Sequence, residues 1–412
     1  MDVAALERRL VESMGFVSTP DYRQADQIVL FACADTQDFE DNSRRLIDLL
    51  QARKRPDAGL IVTGCLPRIR RDIQLNQTQY PELIQAIEDT ISFGQEAWRW
   101  TTHHQYRPTD PIQVDLLQDA QFRVQADTDG PLSTAGGNGR PGRTARDFVL
   151  YPWKKYRSLV EKRAFRFWRD PDAFCIKIST GCCHGCAFCS IRQSRGSVRS
   201  KPLDMVLEEF GVGLRNGHTK FVLLGTNTGD YGLDCGYGLV DLLDRMLKFP
   251  GKFEVALRNV NPAYVIATAP RLAELARTGH IPLLHSAIQS GSDRLLKLMR
   301  RDTRIEDFIT AIHLILRASP KISIMTQIMV GFPGENEEDF AATVDLLRRV
   351  PFNYVETFRY SDRPNTVAAN MAERPDAAVV DRRVRKIKLR NFTHLPITRL
   401  KKRVRFGRGK SL

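Results

Sequence analysis

The 412-residue chain contains no run of about 18 apolar residues, which removes a membrane-spanning helix. Met1-Asp2-Val3-Ala4 does not begin a basic-then-apolar segment, so the start does not read as a signal peptide. Acidic residues are scarce at the other end. From Asp381 to Leu412 thirteen Lys or Arg face one Asp, which is +12 of the net charge of +14. Such a block reads as a tail seeking an anionic partner, RNA first, or as a solvated end with no specific role. The eight cysteines do not have the spread of a secreted disulfide framework, because four of them fall within eight positions. An oxidising compartment would mispair them; a reducing cytosol and metal binding fit them better. The expected location is cytoplasmic, with no membrane partner. The length suffices for two or three domains.

What is present centres on Gly181-Cys182-Cys183-His184-Gly185-Cys186-Ala187-Phe188-Cys189. Cys182, Cys186 and Cys189 stand in a C-x3-C-x2-C spacing, and a loop with three thiolates so close can supply three of the four iron ligands of a cubane cluster. A structural zinc site would need a fourth ligand, for which His184 or Cys183 is the alternative. With three ligands one metal corner stays open, as a cluster that binds a substrate requires. The spacing, with Phe188 before the last cysteine, resembles the signature of radical S-adenosylmethionine (SAM) enzymes.

The surrounding periodicities predict an α/β chain. Residues 1–97 alternate helices with two apolar strands, Ile28–Ala32 and Gly59–Thr63, which deliver Cys33 and Cys65 just past their C-terminal ends. Ligand sites of open α/β sheets lie there. Each cysteine alone reads as a small buried residue; together they suggest a second site. Residues 98–172 are rich in Pro, Gly, Asp, Gln and Thr and read as a linker or insertion. Its last part, Tyr151–Arg169, interleaves aromatics with cations, suited to RNA or to packing on a neighbouring domain. From 173 to 375 six strand candidates alternate with helical patterns, among them Pro270–Thr278 and Ser292–Ala318, and six units fall short of a closed eight-stranded barrel. The expected fold is an open parallel-sheet N-terminal domain followed by a partial (β/α)6 barrel, with residues 376–412 as a basic tail.

Further segments extend the likeness. Leu223–Gly232, Ser286–Asp293, Val330–Phe340 and Tyr360–Thr366 resemble, in order, those of the methylthiotransferase family of radical SAM enzymes. The Cys33 and Cys65 segments resemble that family's first domain. The resemblance implies one [4Fe–4S] cluster at Cys182, Cys186 and Cys189 that cleaves SAM reductively to a 5′-deoxyadenosyl radical, and a second at Cys33 and Cys65. It implies insertion of a methylthio group at an unactivated C–H, on a tRNA nucleoside before a protein, with an electron donor such as flavodoxin or ferredoxin. It places Phe188 against adenine and Gly225, Asn227, Gln289, Ser290 and Gly331 around SAM, where Gly331, Pro333 and Gly334 would let backbone approach the ligand.

Two departures from the family pattern keep other readings open. The third N-terminal cysteine and its strand would fall upstream of Met1, which suggests a start called late, a lost cluster, or ligation borrowed from Cys175, Cys183 or Cys235. No alternating strands follow Met371, where the family commonly has a small RNA- or target-binding β-barrel. A radical SAM enzyme without sulfur insertion, acting on a protein, peptide or small molecule, is one alternative; a non-catalytic basic RNA-binding metalloprotein is the other. Cys183 and His184 have no sequence-level explanation.

Overall fold

In the computed structural model of the chain, residues 2–19, 21–32, 37–73, 75–92 and 173–406 are described. Cys33, the 98–172 segment with its aromatic–cation stretch, and the end beyond Phe406 lie outside them.

The N-terminal part is built on one parallel strand pair. Helix α1 (Asp2–Met14) precedes strand β1 (Gln27–Ala32), α2 (Gln37–Arg53) crosses over, and β2 (Gly59–Gly64) pairs with β1 from Gln27–Gly59 to Ala32–Gly64. Alternate side chains leave opposite faces of a strand. Leu60 and Val62 therefore pack with Ile47 and Leu50 of α2 and with Leu66 of the short helix α3 (Cys65–Ile69), while Ile61 packs with Leu6 of α1 and with Leu83 and Ile87 of α4 (Pro81–Ser92). Both faces are covered, as a parallel pair requires.

The second part is a six-stranded parallel sheet in chain order: β3 (Phe174–Lys177), β6 (Lys220–Leu224), β7 (Glu254–Leu257), β8 (Leu283–His285), β9 (Ser323–Val330) and β10 (Tyr354–Arg359). The other two strands, β4 (Ser179–Thr180) and β5 (Arg199–Ser200), form a small antiparallel pair that follows β3 and was not anticipated. Helices α5 (Ile191–Arg195), α6 (Leu203–Arg215), α7 (Leu239–Met246), α8 (Pro262–Arg277), α9 (Asp293–Leu298), α10 (Ile305–Ala318) and α11 (Glu337–Arg349) fall between the strands. Val222, Ala256, Leu283 and Met325 meet on the concave side, with Cys175 against them. Their sequence neighbours Phe221, Leu223, Val255, Leu257, Leu284 and Ile324 join the larger core with the helices. The sheet stays open, with β3 and β10 as its edges.

Most of the segment expected as a basic tail is one packed helix. Helix α12 (Ala377–Phe406) packs against β10. Asn391 accepts from the Val355 amide at 3.0 Å and donates to its carbonyl at 2.7 Å, taking the place of a neighbouring strand on an exposed edge. Arg383 turns inward to Glu335 and Glu337, both at 2.9 Å, and Lys402 donates to the Ile322 carbonyl at 2.7 Å. Part of the positive block is thus engaged inside the fold, because its helix covers an edge; Arg382, Arg385 and Lys386 remain exposed.

Candidate active site

The loop after β4 approaches its neighbours closely. Gly181 has φ +74°, and a Cβ on it would stand 2.0 Å from the Ser197 carbonyl oxygen, so only glycine fits. The Cys182 amide donates to Gly196 O at 3.2 Å, Cys189 N to Cys186 O at 3.1 Å, and Ala187 N to Met299 O at 2.9 Å. Tied on both sides, the loop presents Cys182, Cys186 and Cys189 to a cavity of about 650 Å³. Burial, foremost, pushes the Cys182 thiol up to about 11, so without metal it stays protonated. Iron binding would displace that proton.

The cavity lies at the C-terminal ends of the barrel strands, where loops are free to carry chemistry. Phe188, Gly225, Asn227 and Gln289 line it, as does Cys65 from the end of β2. Phe188 meets Phe332 edge-on at 6.4 Å between ring centres. A Cβ on Gly225 would fall 2.6 Å from Ser179 Oγ. Asn227 Oδ1 accepts from the Gly229 and Asn261 amides, each at 3.1 Å, which fixes the turn after β6. Gln289 has φ +75° and is buried, and its Oε1 has no partner among the described residues.

Ser290 and Gly331 do not line the cavity, contrary to expectation. The Ser290 hydroxyl lies 3.3 Å from Thr343 Oγ1 and accepts from the Ser292 amide at 3.1 Å. Gly331 is where α12 docks: with φ +84°, a Cβ would stand 2.8 Å from Val380 Cγ2. Its backbone closely approaches that helix. Cys175 is on the concave face of the sheet and Cys235 is exposed.

Several cavity residues were not anticipated. Lys177, Arg195, Arg301, Arg359 and Arg363 are all in its lining, which includes no Asp or Glu among the described residues. Arg363 is buried, and its Nη2 has no partner among the described residues. It occurs in the Tyr360–Thr366 motif, but nothing local in the sequence marks its role.

Asp230 was missed in the same way. It ends a 3-10 turn, Thr228–Asp230, after β6, and is buried. Its Oδ2 accepts from the Cys183 amide at 3.2 Å and from the Cys183 thiol at 3.1 Å; His184 Nε2 lies 2.9 Å from Oδ1. Burial raises the Asp230 carboxyl, but the hydrogen bonds with His184 and Cys183 outweigh it and hold the group below its usual value. Burial and then Asp230 push the Cys183 thiol up to about 12. The two residues that the sequence left without explanation are therefore both directed at one carboxylate.

Comparison with known proteins agrees with this arrangement. The Radical SAM superfamily matches residues 176–347, and Uncharacterized protein family UPF0004 matches residues 1–84. The threonylcarbamoyladenosine tRNA methylthiotransferase MtaB of Thermotoga maritima is 32% identical over 369 residues, which cover 88% of this chain and 72% of that protein. A tRNA-2-methylthio-N(6)-dimethylallyladenosine synthase of Mycobacterium bovis is 29% identical over 406 residues, covering 95% and 70%. Among solved structures, the radical SAM methyltransferase TsrM of Kitasatospora setae, with cobalamin and a [4Fe-4S] cluster bound, aligns at 13% identity with a TM-score of 0.48, over 83% of this chain and 63% of that one. Fold and cysteine loop define an enzyme of the radical SAM class, for which [4Fe–4S] clusters and SAM are the cofactors. More narrowly, the chain belongs to the radical SAM methylthiotransferase family.

Proposed function

We propose that the chain inserts a methylthio group at an unactivated C–H of a tRNA nucleoside. The observation that carries this reading is the shared cavity: Cys65 and the Cys182, Cys186 and Cys189 loop face one space with five cations and no carboxylate in its lining. A sulfur source has to reach the carbon from which hydrogen is removed, so both cysteine sets must open onto the same substrate. Arg359 and Arg363 are paired with Asp381 and Glu40, which do not themselves line the space. A lining with cations and no carboxylate still favours a polyanion, and RNA is the one both cited relatives are named for.

In this reading Cys182, Cys186 and Cys189 hold the radical-generating cluster, and Cys33 and Cys65 contribute to the second. When bound, the first cluster supplies one electron for cleavage of SAM to a 5′-deoxyadenosyl radical, chemistry no side chain provides. Gln289 Oε1 offers SAM a hydrogen-bond acceptor, Phe188 offers its ring to the adenine, and Arg363 Nη2 offers a donor to an anionic group. The exposed cations Arg382, Arg385 and Lys386 of α12 extend the grip on RNA, and a small flavodoxin or ferredoxin supplies the electron.

Iron and acid-labile sulfide per chain after anaerobic reconstitution provide the first test. About eight irons, falling to about four in Cys33→Ala/Cys65→Ala, are expected of two cubanes. The same preparations, given SAM, reductant and unmodified tRNA, are expected to yield a methylthiolated nucleoside by mass spectrometry. About four irons, unaffected by those substitutions, would remove sulfur insertion from the reading.

A further inference from the structure

The cysteine loop holds two overlapping sets of three ligands. Cys182, Cys186 and Cys189 form one; Cys183, Cys186 and Cys189 form the other, with the C-x2-C-x2-C spacing that also ligates cubanes in bacterial ferredoxins. All four thiols together would be enough for every iron of a cubane, leaving no corner for a substrate. A loop of this sequence therefore needs a device that decides which thiols reach the iron. Spacing alone does not supply one.

The structure separates the adjacent thiols. Cys182, Cys186 and Cys189 line the cavity, and Cys183 does not. Cys183 is held by its amide and its thiol on one oxygen of buried Asp230, while His184 engages the other. The carboxylate itself is on a fixed platform: the Asn227 side chain closes the turn beneath it, and a Cβ on Gly229 would come within 3.0 Å of the Tyr264 side chain.

We infer that Asp230 is a positioning residue that withholds the Cys183 thiol from the cluster, and so sets the ligand register and keeps one iron open for SAM. The inference rests on the radical SAM reading of this loop and is independent of the substrate proposed above.

The test uses the full chain and four variants: Asp230→Ala, Cys183→Ala, the double variant, and Cys65→Ala as a common background, so that only this loop's cluster contributes. In the metal-free protein, Cys183 is expected to be alkylated by iodoacetamide about tenfold faster in Asp230→Ala, the size of effect one charge-assisted hydrogen bond gives. In the reconstituted and reduced protein, SAM is expected to shift the cluster's paramagnetic resonance signal in the parent. That shift is expected to be lost in Asp230→Ala at undiminished iron content, and to return in Asp230→Ala/Cys183→Ala. Recovery on removing a thiol is not the behaviour of a loop that has merely been loosened. The inference is overturned if Asp230→Ala keeps the SAM-induced shift, or if iron falls and the double variant stays as impaired as the single one. A parent signal that SAM leaves unmoved would instead overturn the open-iron reading of the loop, and this inference with it.

Discussion

Two glycines in the cysteine loop are sequence neighbours of the proposed cluster ligands Cys182 and Cys186 but are under unequal constraint. Gly181 is left-handed with no room for a Cβ, whereas a Cβ on Gly185 would meet nothing within 4 Å. Gly181→Ala forces a left-handed alanine, about 1–2 kcal/mol, and displaces the Ser197 carbonyl as well. It is expected to lower both the unfolding midpoint and the iron retained by this loop, while Gly185→Ala leaves both near the parent values; iron analysis and thermal melts of the two variants check this. The same contrast shows what a sequence conveys at this scale. The C-x3-C-x2-C spacing marks three residues because their ligands are a few positions apart. Asp230 acts on Cys183 from 47 positions away, so no local pattern includes it.

At the scale of elements, all six barrel strands were legible, since most are runs rich in apolar residues between polar turns, although β10 carries Glu356, Thr357 and Arg359. Helix limits were less so. The pattern placed the start of α8 at Pro270, but Asn261 caps the helix at Pro262 and Pro270 lies inside it. The single helix expected over 292–318 is two, α9 and α10, parted where Arg300 takes φ +55°. The cap of α11 shows how an element is tied to its neighbours: Asp339 is bonded to the Asn336 amide, to Ser292 Oγ and to Arg294. Desolvation raises the Asp339 carboxyl, but Arg294, the Asn336 amide and Ser292 together hold it below its usual value. A carboxylate depressed by folding stabilises above its unfolded value, and the contribution is lost as pH falls through the folded one. Asp339→Asn is therefore expected to destabilise at neutral pH and to flatten the loss of stability below about pH 4, as read from urea midpoints across that range. On α12, Asn391→Ala leaves both backbone groups of Val355 without their partner, at about 1–3 kcal/mol each. Faster hydrogen exchange along β10, with the strands from β3 to β8 little affected, is the expected signature.

The whole molecule depends on a joint that no periodicity reveals. Glu40 of α2 and Arg363 of the segment after β10 are 323 positions apart, yet Arg363 Nη1 donates to Glu40 Oε2 at 3.1 Å, with both side chains almost fully buried. The other carboxylate oxygen accepts from Arg70 Nε at 2.8 Å and Arg44 Nη2 at 3.2 Å. A second tie runs from Arg68 Nη1 to the Ser194 carbonyl at 2.8 Å, between α3 and α5. These contacts hold the Cys65 end of the first sheet against the cavity of the second. Removing one member of a buried ion pair leaves the other charged and poorly solvated, at up to about 3–5 kcal/mol. Glu40→Ala strands Arg363, whereas Glu40→Gln keeps an acceptor and removes only the charge, so it should fall between Glu40→Ala and the parent. Because the pair lies between two separately packed cores, the loss is expected at the joint: amides of α3 and α5 exchange faster, and denaturant unfolding splits into two steps. Each core has its own buried residues from its own strands and helices, so neither step should shift as far as the joint opens. A Glu40→Ala protein that unfolds in one step at the parent midpoint would mean that apolar contact, and not this ion pair, holds the two sheets together.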